Sequence, residues 1–251
     1  MTKKLEGKVA LVTGGSRGLG VELARALADE GANVAISYVA SEEKAAAVVR
    51  EIERKGVRAA AFQADQGEPE APQRLVDAVV QRFGKLDILV NNAAVSIPSR
   101  LDDINADIAA LERQWQVNAL GVVRTIRAAA KVLPKGGRIV TIGSGVWHRA
   151  AFPGIADYAG TKGAIVSYSK AAARDLAPRE ITVNVVDAGL MDTDMAAPYR
   201  DTAWPLILNN LLSIQRSGRL EEIAAAVVFL ASPGASYITG AVVPADGGAG
   251  A

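Results

Sequence analysis

The chain contains no cysteine and a single histidine, His148. The first absence excludes disulfides, thiolate metal sites and cysteine nucleophiles. The second argues against a zinc site built from histidines and against a serine–histidine triad, so no metal centre is expected. Charge of one sign is also missing: 28 Lys and Arg stand against 27 Asp and Glu, which offers no basic excess for nucleic acid. No apolar run is long enough to span a membrane. The opening MTKKLEGK passes into a strand with no hydrophobic segment behind its lysines, so no secretory leader is expected and a cytoplasmic location is the default. What remains is a chain of 251 residues, 50% hydrophobic, long enough to bury a full core without external staples.

Extended and helical patterns alternate along that length. Lys8 to Thr13 (KVALVT) is a short β-branched run, followed by the turn GGSRGLG and a helical pattern over Val21 to Glu30. Asn33 to Tyr38 is a second strand, Ser41 caps a charged helix reaching Lys55, and Arg58 to Asp65 is a third strand. A helix from Pro69 to Phe83, a strand from Leu86 to Ala94 and a long helix from Asp103 to Lys131 come next. Gly136 to Ser144 supplies the fifth strand, Asp157 to about Ala177 a helix, and Ile181 to Val186 the sixth strand. After a mixed segment, a helix from Leu220 to Ala231 and a strand from Ile238 to Gly248 close the chain. Seven strands, most of them apolar throughout rather than alternating, imply an α/β fold with a parallel sheet covered by helices on both faces. No repeat or linker interrupts it, so residues 1–251 are read as one domain.

Gly14, Gly18 and Gly20 sit between the first strand and the first helix. In that place glycine lets backbone approach a pyrophosphate, and a helix start supplies unpaired N–H groups and positive dipole; three glycines also make a plain tight turn. The end of the second strand carries Tyr38, Val39, Ala40 and Ser41, with no carboxylate to repel a 2′-phosphate, while Arg17 in the glycine loop suits an added phosphate. That pattern favours NADPH over NADH; the alternative is a solvated Arg17 and no discrimination.

If the helix beginning near Asp157 forms, Tyr158 and Lys162 stand one turn apart on one face. An ammonium beside a phenol favours the phenolate, and the pair can pass a proton. Ser144, at the end of the fifth strand, adds a hydroxyl. Tyr and Lys also meet by chance on many helices, so the pair needs its surroundings.

Those surroundings are TGGSRGLG, Asp65, NNAA at Asn91 to Ala94, Asn118, Ser144, YAGTK at Tyr158 to Lys162 and NVVDAGLMDT. Together, in this order and almost end to end, they resemble the classical short-chain dehydrogenases/reductases, and within them the NADPH-dependent ketoreductases of the 3-oxoacyl-(acyl-carrier-protein) reductase type. The resemblance implies a three-layer α/β/α Rossmann-type domain with strand order 3-2-1-4-5-6-7. Its dinucleotide-binding part would span about 6–145 and its catalytic and substrate part about 144–251. It further implies that Tyr158 is the general acid, that Lys162 tunes it and holds the nicotinamide ribose, and that Ser144 orients the carbonyl. Asn118 would anchor a water chain to Lys162. Ser16, Leu19 and Ala93 would join Gly14, Arg17, Gly18 and Gly20 around the cofactor; Asp65 would contact adenine through its carboxylate and Asn91 would lie along the adenosine. Gly189 would begin the nicotinamide wall, where Thr193 and the backbone near Met191 would hold the carboxamide. Structural alternatives stay open for Asn118 (helix backbone), Asp65 (a turn cap) and Thr193 (an N-cap). Three departures from the pattern are Ala94 for glycine, Ala188 for proline, and small residues in the closing GGAGA.

The substrate pocket is expected to draw on Ile97, Gly145, Val146, Trp147, His148, Pro153, Leu190, Met195, Tyr199, Trp204 and Leu208. Such a lining favours a ketone with hydrophobic substituents; His148 is alternatively a surface residue beside Arg149. Residues 190–215 are read as a lid, or else as a permanently packed segment. The resemblance implies a homotetramer, with Gly160, Gly163 and the alanines of the two long helices allowing close approach either between subunits or within one. Two other readings compete with a carbonyl reductase: an NAD-dependent secondary alcohol dehydrogenase, and a non-catalytic NADP(H)-sensing regulator.

Overall fold

The computed structural model describes residues 3–150, 152–197, 200 and 203–251. Seven parallel strands form one sheet in the order β3-β2-β1-β4-β5-β6-β7. They are β1 (Val9–Val12), β2 (Asn33–Tyr38), β3 (Ala59–Gln63), β4 (Ile88–Asn91), β5 (Arg138–Ile142), β6 (Thr182–Ala188) and β7 (Val242–Ala245). Every residue of β1, β4, β5 and β6 is buried, because helices cover both faces and neither side of these strands meets water. Ala10, Val12, Val34 and Ile36 face one layer, formed by α1 (Gly18–Asp29), α2 (Glu42–Glu53) and α8 (Leu220–Ala231). Val9, Leu11, Ala35 and Leu89 face the other, formed by α3 (Ala71–Phe83), α5 (Val122–Val132) and α6 (Ala156–Leu176). The side-chain alternation of the strands thus feeds two separate cores.

The long helix expected from Asp103 is shorter and broken. Asp103 and Asp107 turn their carboxylates onto local N–H groups, Asp103 accepting from Asn105 and Asp107 from Ala110. That local bonding favours a turn followed by a cap, so α4 runs only over Ile108–Trp115. A π-helical turn at Gln116–Gly121 follows and leads into α5. Such turns mark places where a helix is bent to serve a site. β6 extends two residues past the expected Val186, pairing Asp187 with Pro244 and Ala188 with Ala245. Within residues 190–215, α7 covers Ala203–Asn210. Within the chain, Gly160 packs against the Trp115 ring and Gly163 lies beside Trp147.

Candidate active site

A cavity of about 620 Å³ opens at the carboxyl ends of the strands, where a doubly wound sheet places its ligands. Its first wall is the glycine loop: Gly14, Ser16, Arg17, Gly18, Leu19 and Gly20 all line it. Gly14 has φ +66° and lies so close to Ala93 that a Cβ would come within 2.9 Å of the Ala93 Cα. A Cβ on Gly20 would lie 2.2 Å from the Gly14 carbonyl oxygen. No side chain caps α1, so its first N–H groups are left for an anion. Gly20→Ala is therefore expected to push the loop outward, with a dinucleotide Kd raised at least about tenfold by isothermal calorimetry and a lower melting temperature.

Tyr38, Val39, Ala40 and Ser41 line the next stretch without an acidic side chain. Arg17 has no ion-pair partner among the described residues. Asp65 lines the cavity too, but its carboxylate is already engaged. One oxygen accepts from the Gly67 N–H at 3.0 Å and the other from the Arg113 guanidinium. Burial alone would raise its pKa; Arg113 and the Gly67 N–H outweigh that and hold it below the ordinary value. The carboxylate thus ties this wall to α4 while still lining the cavity.

Asn91 does not reach the cavity. As the last residue of β4 it points into the core, where its amide donates to Thr141 Oγ1 at 3.2 Å. One residue on, the strand's alternation turns Asn92 to the cavity, where its amide donates to the carbonyls of Thr13 and Gly14 and holds the glycine loop in place. Asn118, on the π-helical turn, is buried and clamps Val95 from both sides: its Oδ1 accepts from the Val95 N–H at 2.9 Å and its Nδ2 donates to the Val95 carbonyl at 2.8 Å. The side chain thus secures the segment that carries Ala93, Ala94 and Val95 along the cavity, and Lys162 is bonded elsewhere.

Ser144, Tyr158 and Lys162 converge. Ser144 leaves β5 into the 3-10 turn Gly145–Trp147, and Tyr158 lies in the first turn of α6. All three residues line the cavity. The Lys162 Nζ stands 5.5 Å from the centre of the Tyr158 ring and donates to the Ile142 carbonyl at 2.9 Å. Lys162 is only 3% exposed, and burial lowers its pKa to about 8 against the opposing charge of Asp187. Gly189, Leu190, Met191 and Thr193 form the wall beyond β6. Gly189 is pressed against Asp246, where a Cβ would come within 2.5 Å of the Asp246 Cα.

Of the expected substrate residues, Gly145, Val146, Leu190 and Met195 line the cavity. Ile97, Trp147, His148, Pro153, Trp204 and Leu208 do not, and Tyr199 lies outside the described residues. Trp147 turns its indole to Asp187, and the ring of exposed His148 meets Trp147 edge-on at 4.9 Å. Ile97 is held by its backbone to Gln114, Pro153 is exposed, and Trp204 is buried with the Arg200 guanidinium over its ring. On α7 and just after it, Ile207, Leu211 and Leu212 form the cavity face, while Leu208 is turned out of it by the helical period. These three fall in the segment read as a lid; sequence reasoning missed Phe152, Ile155 and the closing loop at Asp246, Ala249 and Gly250. Nothing local marked the closing loop.

Among the described residues, no helix is long and apolar enough to cross a membrane and no group of three potential metal ligands occurs. A family model described as enoyl-(acyl carrier protein) reductase matches residues 14–250. The chain is 39% identical over 247 residues to a 3-oxoacyl-(acyl-carrier-protein) reductase of Staphylococcus aureus, covering 96% of this chain and 97% of the relative. It superposes on a short chain dehydrogenase from Burkholderia cenocepacia, solved in complex with NADP, with TM-score 0.92 and 44% identity over 99% of this chain and 100% of that one. A blue fluorescent protein from a metagenomic library, solved in complex with NADPH, superposes with TM-score 0.93 and 40% identity over 99% and 100% of the two chains. With a seven-stranded Rossmann sheet, a glycine loop over α1 and a Ser–Tyr–Lys set in one cavity, the chain belongs to the classical short-chain dehydrogenases/reductases, nicotinamide-dependent oxidoreductases acting on alcohols and carbonyls.

Proposed function

We propose that the protein is an NADPH-dependent carbonyl reductase that turns a ketone with hydrophobic substituents into a secondary alcohol, reversibly. The observation that carries this reading is the meeting of Ser144, Tyr158 and Lys162 in the same cavity as the glycine loop. The cavity fits the cofactor on its own terms: Gly14 and Gly20 let the loop pack tightly over the uncapped start of α1, and Arg17 lines it with no acidic residue at the end of β2. NADPH, when bound, supplies the hydride. Gly14 to Gly20 would hold its pyrophosphate, Arg17 and Ser41 its 2′-phosphate, and Met191 and Thr193 its carboxamide.

The chain's part is position and proton transfer. The Ser144 hydroxyl donates a hydrogen bond to the ketone oxygen and fixes its direction. The Tyr158 phenol gives that oxygen its proton, and the Lys162 ammonium stabilises the phenolate left behind. Val95, Val146, Phe152, Ile155, Leu190 and Leu212 exclude water around the substituents, and α7 supplies the covering face. We assign the protein to the cytoplasm and to a homotetramer, the latter supported by the exposed Ile108, Trp115 and Leu120 on α4 and the turn after it.

Cofactor choice tests the reading against an NAD-dependent alcohol dehydrogenase. Arg17→Ala is expected to lower kcat/KM with NADPH about 10- to 100-fold, the worth of a charge-assisted phosphate contact. The same value with NADH should change less than about twofold. Equal losses with both cofactors would remove Arg17 from 2′-phosphate recognition.

A further inference from the structure

Asp187, near the end of β6, is only 2% exposed, and the mechanism above does not use it. Its Oδ2 accepts the Trp147 indole N–H at 2.6 Å, a short bond of the charge-assisted kind. Its Oδ1 is buried. The backbone around it is tight: a Cβ on Gly143, the residue before Ser144, would lie 2.1 Å from that oxygen. Trp147 ends the 3-10 turn that Ser144 begins. The root of its side chain rests on α6, 3.9 Å from where a Cβ of Gly163 would stand, next to Lys162 in sequence. One hydrogen bond therefore ties the Ser144 turn, whose Trp147 rests on the helix of Tyr158 and Lys162, to the strand that leads into the Gly189 wall.

Burial pushes the Asp187 carboxyl up, while the Trp147 indole, His148, the Ser144 N–H and Lys162 pull it down. The groups facing it are thus Lys162 from α6 and His148 from the turn. Beyond them, Asp246 after β7 has its two oxygens taken by the N–H groups of Gly248 and Gly250.

We propose that Asp187 and Trp147 are positioning residues: their bond locks the Ser144 turn against α6, and the carboxylate, pressed on Gly143 next to the Ile142 carbonyl that holds Lys162 Nζ, sets a negative charge near the Lys162 ammonium. This rests on the reductase reading, and the test separates the two. Trp147→Phe keeps the ring and removes the donor. It is expected to lower kcat about tenfold while the KM for NADPH and the far-ultraviolet circular dichroism stay as in the wild type. Asp187→Asn keeps an acceptor for the indole and removes the charge. Its kcat at the optimum should fall less than about threefold, while the alkaline limb of kcat/KM moves to lower pH by about one pH unit, because Lys162 gives up its proton sooner.

A readout independent of turnover is the indole N–H proton resonance of Trp147, assigned by its loss in Trp147→Phe. It should lie downfield in the wild type and move upfield in Asp187→Asn. Tyr158→Phe, run alongside, should lose turnover and leave that resonance in place, so retained turnover there would point to the reductase reading as the one that fails. Wild-type kcat in Trp147→Phe, or an indole resonance indifferent to Asp187→Asn, would overturn the lock. An unmoved alkaline limb in Asp187→Asn would overturn the role of the charge.

Discussion

Tyr158→Phe is expected to lower kcat for ketone reduction at least about 100-fold, the usual worth of a general acid, with NADPH affinity and melting temperature close to those of the wild type. The phenolic oxygen is a single atom in the first turn of α6, at a cavity wall rather than in either core, so its removal leaves the packing of the ring in place. A steady-state assay and a calorimetric titration on the same sample give the two halves of the result. Turnover within about tenfold of the wild type, with folding intact, would assign proton donation elsewhere. It would also separate an enzyme from an NADP(H)-sensing regulator, in which the substitution should change nothing that can be measured as rate.

The second large effect is a gain in stability at the expense of function. Lys162 is buried, and its pKa falls from the ordinary 10.5 to about 8. The native state therefore holds this proton less tightly than the unfolded chain does. Below pH 8 both states carry it, and the native state bears the full cost of burying the charge, on the order of 3 kcal/mol at 1.36 kcal/mol per pH unit. Between about 8 and 10.5 the native lysine is neutral while the unfolded one is still charged, so this contribution to stability rises with pH. Lys162→Met fills similar volume without the charge. In the absence of cofactor it is expected to melt higher than the wild type below pH 8, with the gap closing as pH rises toward 10.5, and to lose turnover about 100-fold or more. Thermal melts at several pH values check it. A variant that melts lower at every pH would show that the bond to the Ile142 carbonyl and the field of Asp187 outweigh desolvation.

The fold was legible because it is written in patterns that need no tertiary knowledge. Buried, β-branched strands such as VALV between amphipathic helices announce a doubly covered parallel sheet, and helix α8 falls on the expected Leu220–Ala231. Boundaries slipped where side chains bond their own backbone, as Asp103 and Asp107 do before α4. Asn91 was misplaced by one residue because a strand's alternation decides which of two adjacent asparagines faces a ligand, and the repeat NN hides that parity. Trp147 and His148 follow Ser144 closely and so read as pocket residues. The 3-10 turn instead sends the indole to Asp187, a partner 40 residues away that no local pattern reveals. The cavity face of the loop at Asp246 is long-range in the same sense.

Ketone reduction with NADPH deuterated at the transferable position of the nicotinamide tests the central claim most directly. A panel of aryl, cyclic and 3-oxoacyl thioester ketones, followed by mass spectrometry and proton NMR of the alcohols, reads where the label goes. One deuterium on the carbinol carbon, lost together with turnover in Tyr158→Phe, is the predicted result; alcohol formed without the label, or no alcohol from any member while the protein binds NADPH tightly, would contradict it.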